Sequence, residues 1–104
     1  MKFVYICSPY RGDIENNIRK AREYCKMAIK EDCMPICPHI YFTQFLDDNC
    51  PDDREKGMEL GLDLLSCCEE IWVFGDDVSD GMQKEIDYGH FVLGLPIIKF
   101  RGDI

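Results

Sequence analysis

The stretch Glu70-Ile-Trp-Val-Phe-Gly-Asp-Asp-Val-Ser-Asp-Gly-Met-Gln-Lys-Glu85-Ile86 decides the fold. It reads as a buried strand, a polar turn marked by Gly75, and the start of a helix that carries a carboxylate. In an open parallel α/β sheet, ligands lie beyond the carboxyl ends of the strands, where loops and helix amino termini meet. The spacing therefore places Glu85 one turn into a helix, facing such a crevice.

The same alternation extends in both directions. Phe3–Cys7 is a β-branched and aromatic run ending in the turn-rich Ser8-Pro-Tyr-Arg-Gly-Asp13, and it reads as strand one. Between Ile14 and about Glu31 the positions Ile14, Ile18, Ala21, Cys25, Ala28 and Ile29 recur at helical spacing, with Asp13 placed to cap the start. Met34–Cys37 reads as strand two, and His39 to Pro51 as a long connection holding Tyr41, Phe42 and Phe45. A second helix is expected from Asp52 to Cys68, with Gly57 and Gly61 permitting close approach to the sheet. Strand three is Ile71–Phe74, helix three runs from Asp80 to Leu93, and Leu95–Phe100 is the last strand. Three strand–helix units and a closing strand require right-handed crossovers and a parallel sheet covered on both faces. The expected fold class is thus α/β, a flavodoxin-like or Rossmann-like three-layer sandwich. Its parallel sheet has four or five strands in the order 2-1-3-4.

Composition narrows what such a domain does. The chain has 104 residues, so one domain over 1–104 is expected, and 46% hydrophobic content suffices for one modest core. A formal charge of -8 argues against nucleic acid as a partner, because phosphate backbones are held by clustered Lys and Arg. Apolar runs fall far short of the roughly 20 residues that a membrane span needs. Seven cysteines without Cys-x-x-Cys, and no signal peptide read ahead of Phe3, fit free thiols in a reducing cytoplasm. Cys33-x-x-x-Cys37-x-His39 lacks a fourth ligand at suitable spacing, so no metal is expected. With no G-x-G-x-x-G after strand one, no dinucleotide cofactor is expected either.

Three groups of polar residues converge at the carboxyl ends of the expected strands. Ser8, Tyr10, Arg11 and Asp13 follow strand one, His39 follows strand two, and Asp76, Asp77, Ser79, Asp80, Gly81, Met82 and Glu85 follow strand three. A carboxylate nucleophile suits chemistry at a glycosidic carbon, where it forms a covalent glycosyl intermediate that water or another base resolves. A nearby phenol would orient that carboxylate and keep it ionised.

Tyr5-Ile-Cys-Ser-Pro-Tyr-Arg-Gly12, Pro35-Ile-Cys-Pro-His-Ile-Tyr-Phe42, Phe45-Leu-Asp-Asp48 and Glu70-Ile-Trp-Val-Phe-Gly75, followed by Ser79-Asp-Gly-Met-Gln-Lys-Glu-Ile86, resemble a small bacterial and phage group described as nucleoside 2-deoxyribosyltransferase-like. The resemblance spans nearly the whole chain. It implies cleavage or transfer at the N-glycosidic bond of a nucleoside or nucleotide, 2'-deoxy forms included, by a homo-oligomer without cofactor or metal. In the enzymes a Gly-x-x-x-Glu-Ile or Gly-x-x-x-Glu-Leu segment carries the nucleophile, which falls on Gly81 and Glu85; a first-loop polar residue falls on Tyr10. Asp80 is assigned to sugar contact or proton transfer. Ser8, Arg11, Asp13, His39, Asp77, Ser79, Gly81 and Met82 are assigned to substrate binding. The enzymes' sugar-binding aspartates have Asp63 and Asp77 or Asp80 nearby, without unambiguous register.

Plainer readings stand beside these. Glu85 also suits the helix macrodipole, worth roughly 0.3–1 kcal/mol without any substrate. Tyr10 also reads as a surface turn aromatic, Arg11 as a partner of Asp13 or Glu15, and the pairs Asp47-Asp48 and Asp52-Asp53 as solvated charge. The domain as a whole also reads as a nucleotide-sequestering protein or a partner-binding module.

Overall fold

The computed structural model describes residues 1–100; the last four positions of the expected domain lie outside the described residues. The elements in chain order are β1 (Lys2–Cys7), α1 (Ile14–Lys30), β2 (Cys33–Ile36), α2 (Pro38–Tyr41), a 3-10 turn (Phe42–Gln44), α3 (Pro51–Leu65), β3 (Glu70–Val73), α4 (Asp80–Asp87), a π-helical turn (Tyr88–Val92) and β4 (Ile97–Lys99). The sheet has four strands in the order β2-β1-β3-β4, and every pairing is parallel. Both the order and the strand direction match the sequence expectation. A parallel pair needs a crossover long enough to hold a helix, which the strand–helix alternation supplies at each step.

The central strand divides the core by its period of two. Tyr5 and Cys7 face a layer formed with Leu65 of α3, Ile71 and Val73 of β3, and Met82 and Ile86 of α4. Val4 and Ile6 face the opposite way, against Tyr24 and Ala28 of α1 and Trp72 and Phe74. On that side Tyr24 stacks on Phe74 with ring centroids 4.0 Å apart, and Phe100 stacks on Phe74 at 4.6 Å. The result is helix, sheet and helix in three layers.

Several boundaries differ from those read in the sequence. Strand two ends at Ile36 rather than Cys37, because Cys37 becomes the N-cap of α2 and Pro38 takes its first turn. Proline suits that position, where its missing N–H is not needed. The long connection is therefore partly helical, through α2 and the 3-10 turn. Helix two begins at Pro51, one residue early, and stops at Leu65, with Cys67 and Cys68 donating to carbonyls three residues back. Helix three ends at Asp87; there the winding loosens, and the Leu93 N–H bonds the Tyr88 carbonyl at 3.1 Å. The last strand is shorter than expected, Ile97–Lys99.

Gly89, inside the π-helical turn, lies where that segment is pressed on the sheet. A Cβ there would stand 2.1 Å from Ile71 Cδ1 and 3.3 Å from Ile71 Cγ1. Ile71 is fully buried. Gly89→Ala is therefore expected to destabilise the fold by roughly 1–3 kcal/mol, the usual cost of overpacking a filled core. Denaturant unfolding of the variant checks this; unchanged stability would mean that the contact relaxes without cost.

Candidate functional site

At the carboxyl ends of β1, β2 and β3 a cleft of about 1030 Å³ opens between the Pro9–Arg11 loop, α2, α3 and the start of α4. Its chemistry centres on Glu85. Ser79 caps α4 by accepting from the Met82 N–H at 3.2 Å, which fixes the first turn and carries Glu85 onto the cleft wall, 95% buried.

Two donors from one face of β1 meet the carboxylate. The Tyr5 hydroxyl donates to Glu85 Oε2, and the Cys7 thiol lies 3.6 Å from Glu85 Oε1. Gly61 of α3 leaves room for the phenol: a Cβ at that position would stand 3.3 Å from the Tyr5 hydroxyl oxygen. Burial raises the Glu85 carboxyl against the lowering effect of the bonds from Tyr5 and Cys7, and the balance stands at about 7. Burial and the Glu85 charge push the Tyr5 phenol well above its usual value and raise the Cys7 thiol too, so both stay protonated as donors. Near neutrality the site thus holds a carboxyl poised between its two forms, with a neutral donor on each oxygen.

The structure gathers some of the expected residues and disperses others. Tyr10, His39, Asp80, Gly81, Met82 and Glu85 share the cleft. Among the described residues Tyr10 makes no hydrogen bond to Glu85; it stacks nearly parallel on His39, with ring centroids 5.4 Å apart, and the phenol on the carboxylate is that of Tyr5. Burial lowers the His39 pKa, against the opposing effects of Asp48 and a hydrogen bond to the Ser8 backbone. Arg11 lines the cleft and pairs with Asp48 at 2.8 Å, not with Asp13 or Glu15. Asp53, one of the acids expected to be solvated, accepts from the Asp47 N–H at 2.8 Å and lines the cleft.

Other expected residues lie elsewhere. Asp13 caps α1, accepting from the Asn16 N–H at 3.3 Å, and does not line the cleft. Asp77 and Ser8 line a second cavity of about 390 Å³ between α1 and the loop after β3; Ser79 and Arg11 border both spaces. The buried Ser8 hydroxyl has no hydrogen-bond partner among the described residues. Asp63 is exposed on α3 and away from the cleft. All seven cysteines are free, and among the described residues no three His, Cys, Asp or Glu side chains converge as a metal site.

Tyr5 and Cys7 are the partners of the Glu85 carboxyl that the sequence reading missed. In a strand of apolar neighbours they pass for core. The available signal was the hydroxyl of a tyrosine at a buried strand position, which needs a partner.

The burial of Glu85 makes stability depend on pH. Its folded pKa of about 7 lies above the ordinary carboxyl value of 4.5, so its favourable contribution is complete below about 4.5 and is lost as pH rises through about 7. The difference corresponds to something on the order of 3 kcal/mol. Glu85→Gln, which cannot ionise, is expected to gain in melting temperature over the wild type at pH 8 and to lose that advantage at pH 4.5. Thermal unfolding of both proteins across this range checks it; parallel curves would contradict a raised Glu85 pKa.

Comparison with known proteins agrees with this architecture. No curated protein matches the chain. Among solved structures it is similar to the 2-deoxyribosyltransferase of the psychrotolerant bacterium Bacillus psychrosaccharolyticus, described as a biocatalyst for the synthesis of antiviral and antitumoral nucleosides. The TM-score is 0.76 at 16% identity, over 98% of this chain and 75% of that one. At that identity the likeness shows a shared fold. A family model matches residues 2–100, and the chain belongs to that family, the Domain of unknown function DUF7768.

Proposed function

We propose that this protein cleaves or transfers the N-glycosidic bond of a nucleoside or nucleotide, 2'-deoxy forms included, with Glu85 as nucleophile. The observation that carries the reading is the buried Glu85 carboxyl on the wall of a roomy cleft, held by the Tyr5 phenol. The shared fold with a 2-deoxyribosyltransferase supports it. In the proposed reaction a Glu85 oxygen attacks C1' of the sugar, and the electron pair of the C1'–N bond leaves with the base. The base takes up a proton, and Asp80, at the first turn of α4 on the same cleft, is the group assigned to deliver it. Water or a second base then attacks C1' and releases Glu85. The Tyr10–His39 stack offers the base an aromatic surface.

The test is base release or exchange, followed by chromatography, across purine and pyrimidine nucleosides and their 5'-monophosphates. Glu85→Gln is expected to lower the rate by roughly three orders of magnitude or more, the scale of removing a nucleophile. Tyr5→Phe should cost about 10- to 100-fold, because one hydrogen bond to a charged group is worth ~1.5–3 kcal/mol. A wild-type protein that turns over none of the panel sinks the reading. If it still binds a member of the panel, the sequestering alternative takes its place.

We also propose that the chain assembles with itself. Tyr41, Phe42 and Phe45 form an edge-to-face cluster, yet Tyr41 is 56% and Phe45 65% exposed. An apolar cluster left open by the fold is a surface that a symmetric partner covers. Light scattering at micromolar protein should give a dimer or larger, and Phe45→Ser should lower the assembled fraction; a monomeric wild type would exclude it.

A further inference from the structure

Glu85 is held by two unequal donors, and their arrangement tells its two oxygens apart. Tyr5 and Cys7 are two residues apart on β1 and point to the same face. Tyr5 bonds Oε2, whereas the Cys7 thiol stands 3.6 Å from Oε1 and 3.8 Å from the Met82 carbonyl on the preceding turn of α4. Cys7 is fully buried and lies in no disulfide. A thiol is a weak donor and a phenol a strong one. The phenol therefore ties up a lone pair of Oε2 firmly, whereas Oε1, facing the weaker donor, keeps its lone pairs more available.

Resting on the glycosidic reading above, we propose that Cys7 is a positioning residue for the nucleophile: its thiol aims Glu85 Oε1, the attacking oxygen, while Tyr5 holds Oε2. The chemistry of the step agrees with this division. When an Oε1 lone pair forms the bond to C1' and the C1'–N pair leaves with the base, Oε1 becomes an ester oxygen and a poor acceptor. Oε2 becomes a carbonyl oxygen and continues to accept from the phenol. The donor that must give up its partner is then the weaker one, and the Met82 carbonyl remains within its reach.

The charged and titratable groups around Glu85 bound how the test reads. They are Tyr5 and Cys7 on β1, Tyr10 and Arg11 on the loop after it, His39 on α2, Asp48 on the connection before α3, Asp53, Arg54, Glu55 and Glu59 on α3, and Asp80 and Lys84 on α4 itself. Of these, only Tyr5 and Cys7 act on the Glu85 carboxyl, both lowering its pKa against burial. Changing the donor at position 7 should therefore move the Glu85 titration without a competing response from the rest of the cleft.

Two measurements on the full chain decide the proposal. The first is the pH profile of kcat/KM for base release, whose acidic limb reports the ionisation of Glu85. The second is direct titration of the Glu85 carboxyl carbon by NMR in the free protein, with Glu85→Gln to assign the signal. Cys7→Ser installs a stronger donor and should shift the titration down; Cys7→Ala removes the donor and should shift it up, each by about half a pH unit or more. Cys7→Ala should also lower kcat several-fold at the plateau with little change in KM. Cys7→Thr, which refills more of the buried volume, should follow Cys7→Ser in sign if the serine variant folds poorly. A residue that only fills space would move all three variants in one direction or leave the titration alone, and either result overturns the proposal. Absence of base release from the wild type overturns the assignment of an attacking oxygen, and the carboxyl titration then decides the hydrogen bond alone.

Discussion

The arrangement depends on the parallel pairing of β1 with strands on both of its edges. Val4 and Tyr5 pair with Pro35 and Ile36 of β2 on one side and with Glu70 and Ile71 of β3 on the other. A strand so placed has both faces covered, and its alternation assigns every second side chain to one helical layer. Val4 and Ile6 go to α1, where they meet aromatic rings. Tyr5 and Cys7 go to α3 and α4, the layer that brings the Glu85 carboxylate to the sheet.

That constraint explains why a carboxyl stands in an apolar interior at all. Leu65, Ile71, Met82 and Ile86 belong to the same apolar cluster as Tyr5 and Cys7, beside the cleft that Glu85 lines. Burial alone would drive the Glu85 carboxyl towards its neutral form. Two hydrogen bonds from β1 offset part of that drive and leave the group near the midpoint of its titration at neutral pH. The interaction favours a responsive carboxyl at some expense in stability, a balance common at working sites.

The other residues of the cleft are positioned by local devices that cost the fold little. Pro38 starts α2 and so turns His39 towards Tyr10; Ser79 starts α4 and so fixes the approach of Glu85. Arg11 is steadied by Asp48 from the long connection, which ties the loop after β1 to the segment before α3. That tie spans two exposed or half-buried side chains, so it organises the rim more than it stabilises the domain.

By itself the sequence determined the alternation of strands and helices, the parallel direction of the sheet, and the placing of Glu85 one turn into a helix beyond β3. These are local signals: apolar runs, turn residues and caps act within a few positions of one another. It also marked Asp13 and Ser79, although both serve as caps whatever else they do. Tertiary structure alone decided which phenol meets Glu85. Tyr5 is 80 positions away, and a tyrosine inside an apolar strand carries no local mark of a polar partner, whereas Tyr10, in an open turn, reads from the sequence as the partner of Glu85. The same holds for Cys7, and for the change of winding at Tyr88, where the close contact of Gly89 with Ile71 joins segments that share no sequence signal. Periodicity fixes the face a side chain takes on its own element, but only the packing of β1 against α3 and α4 fixes what that face meets.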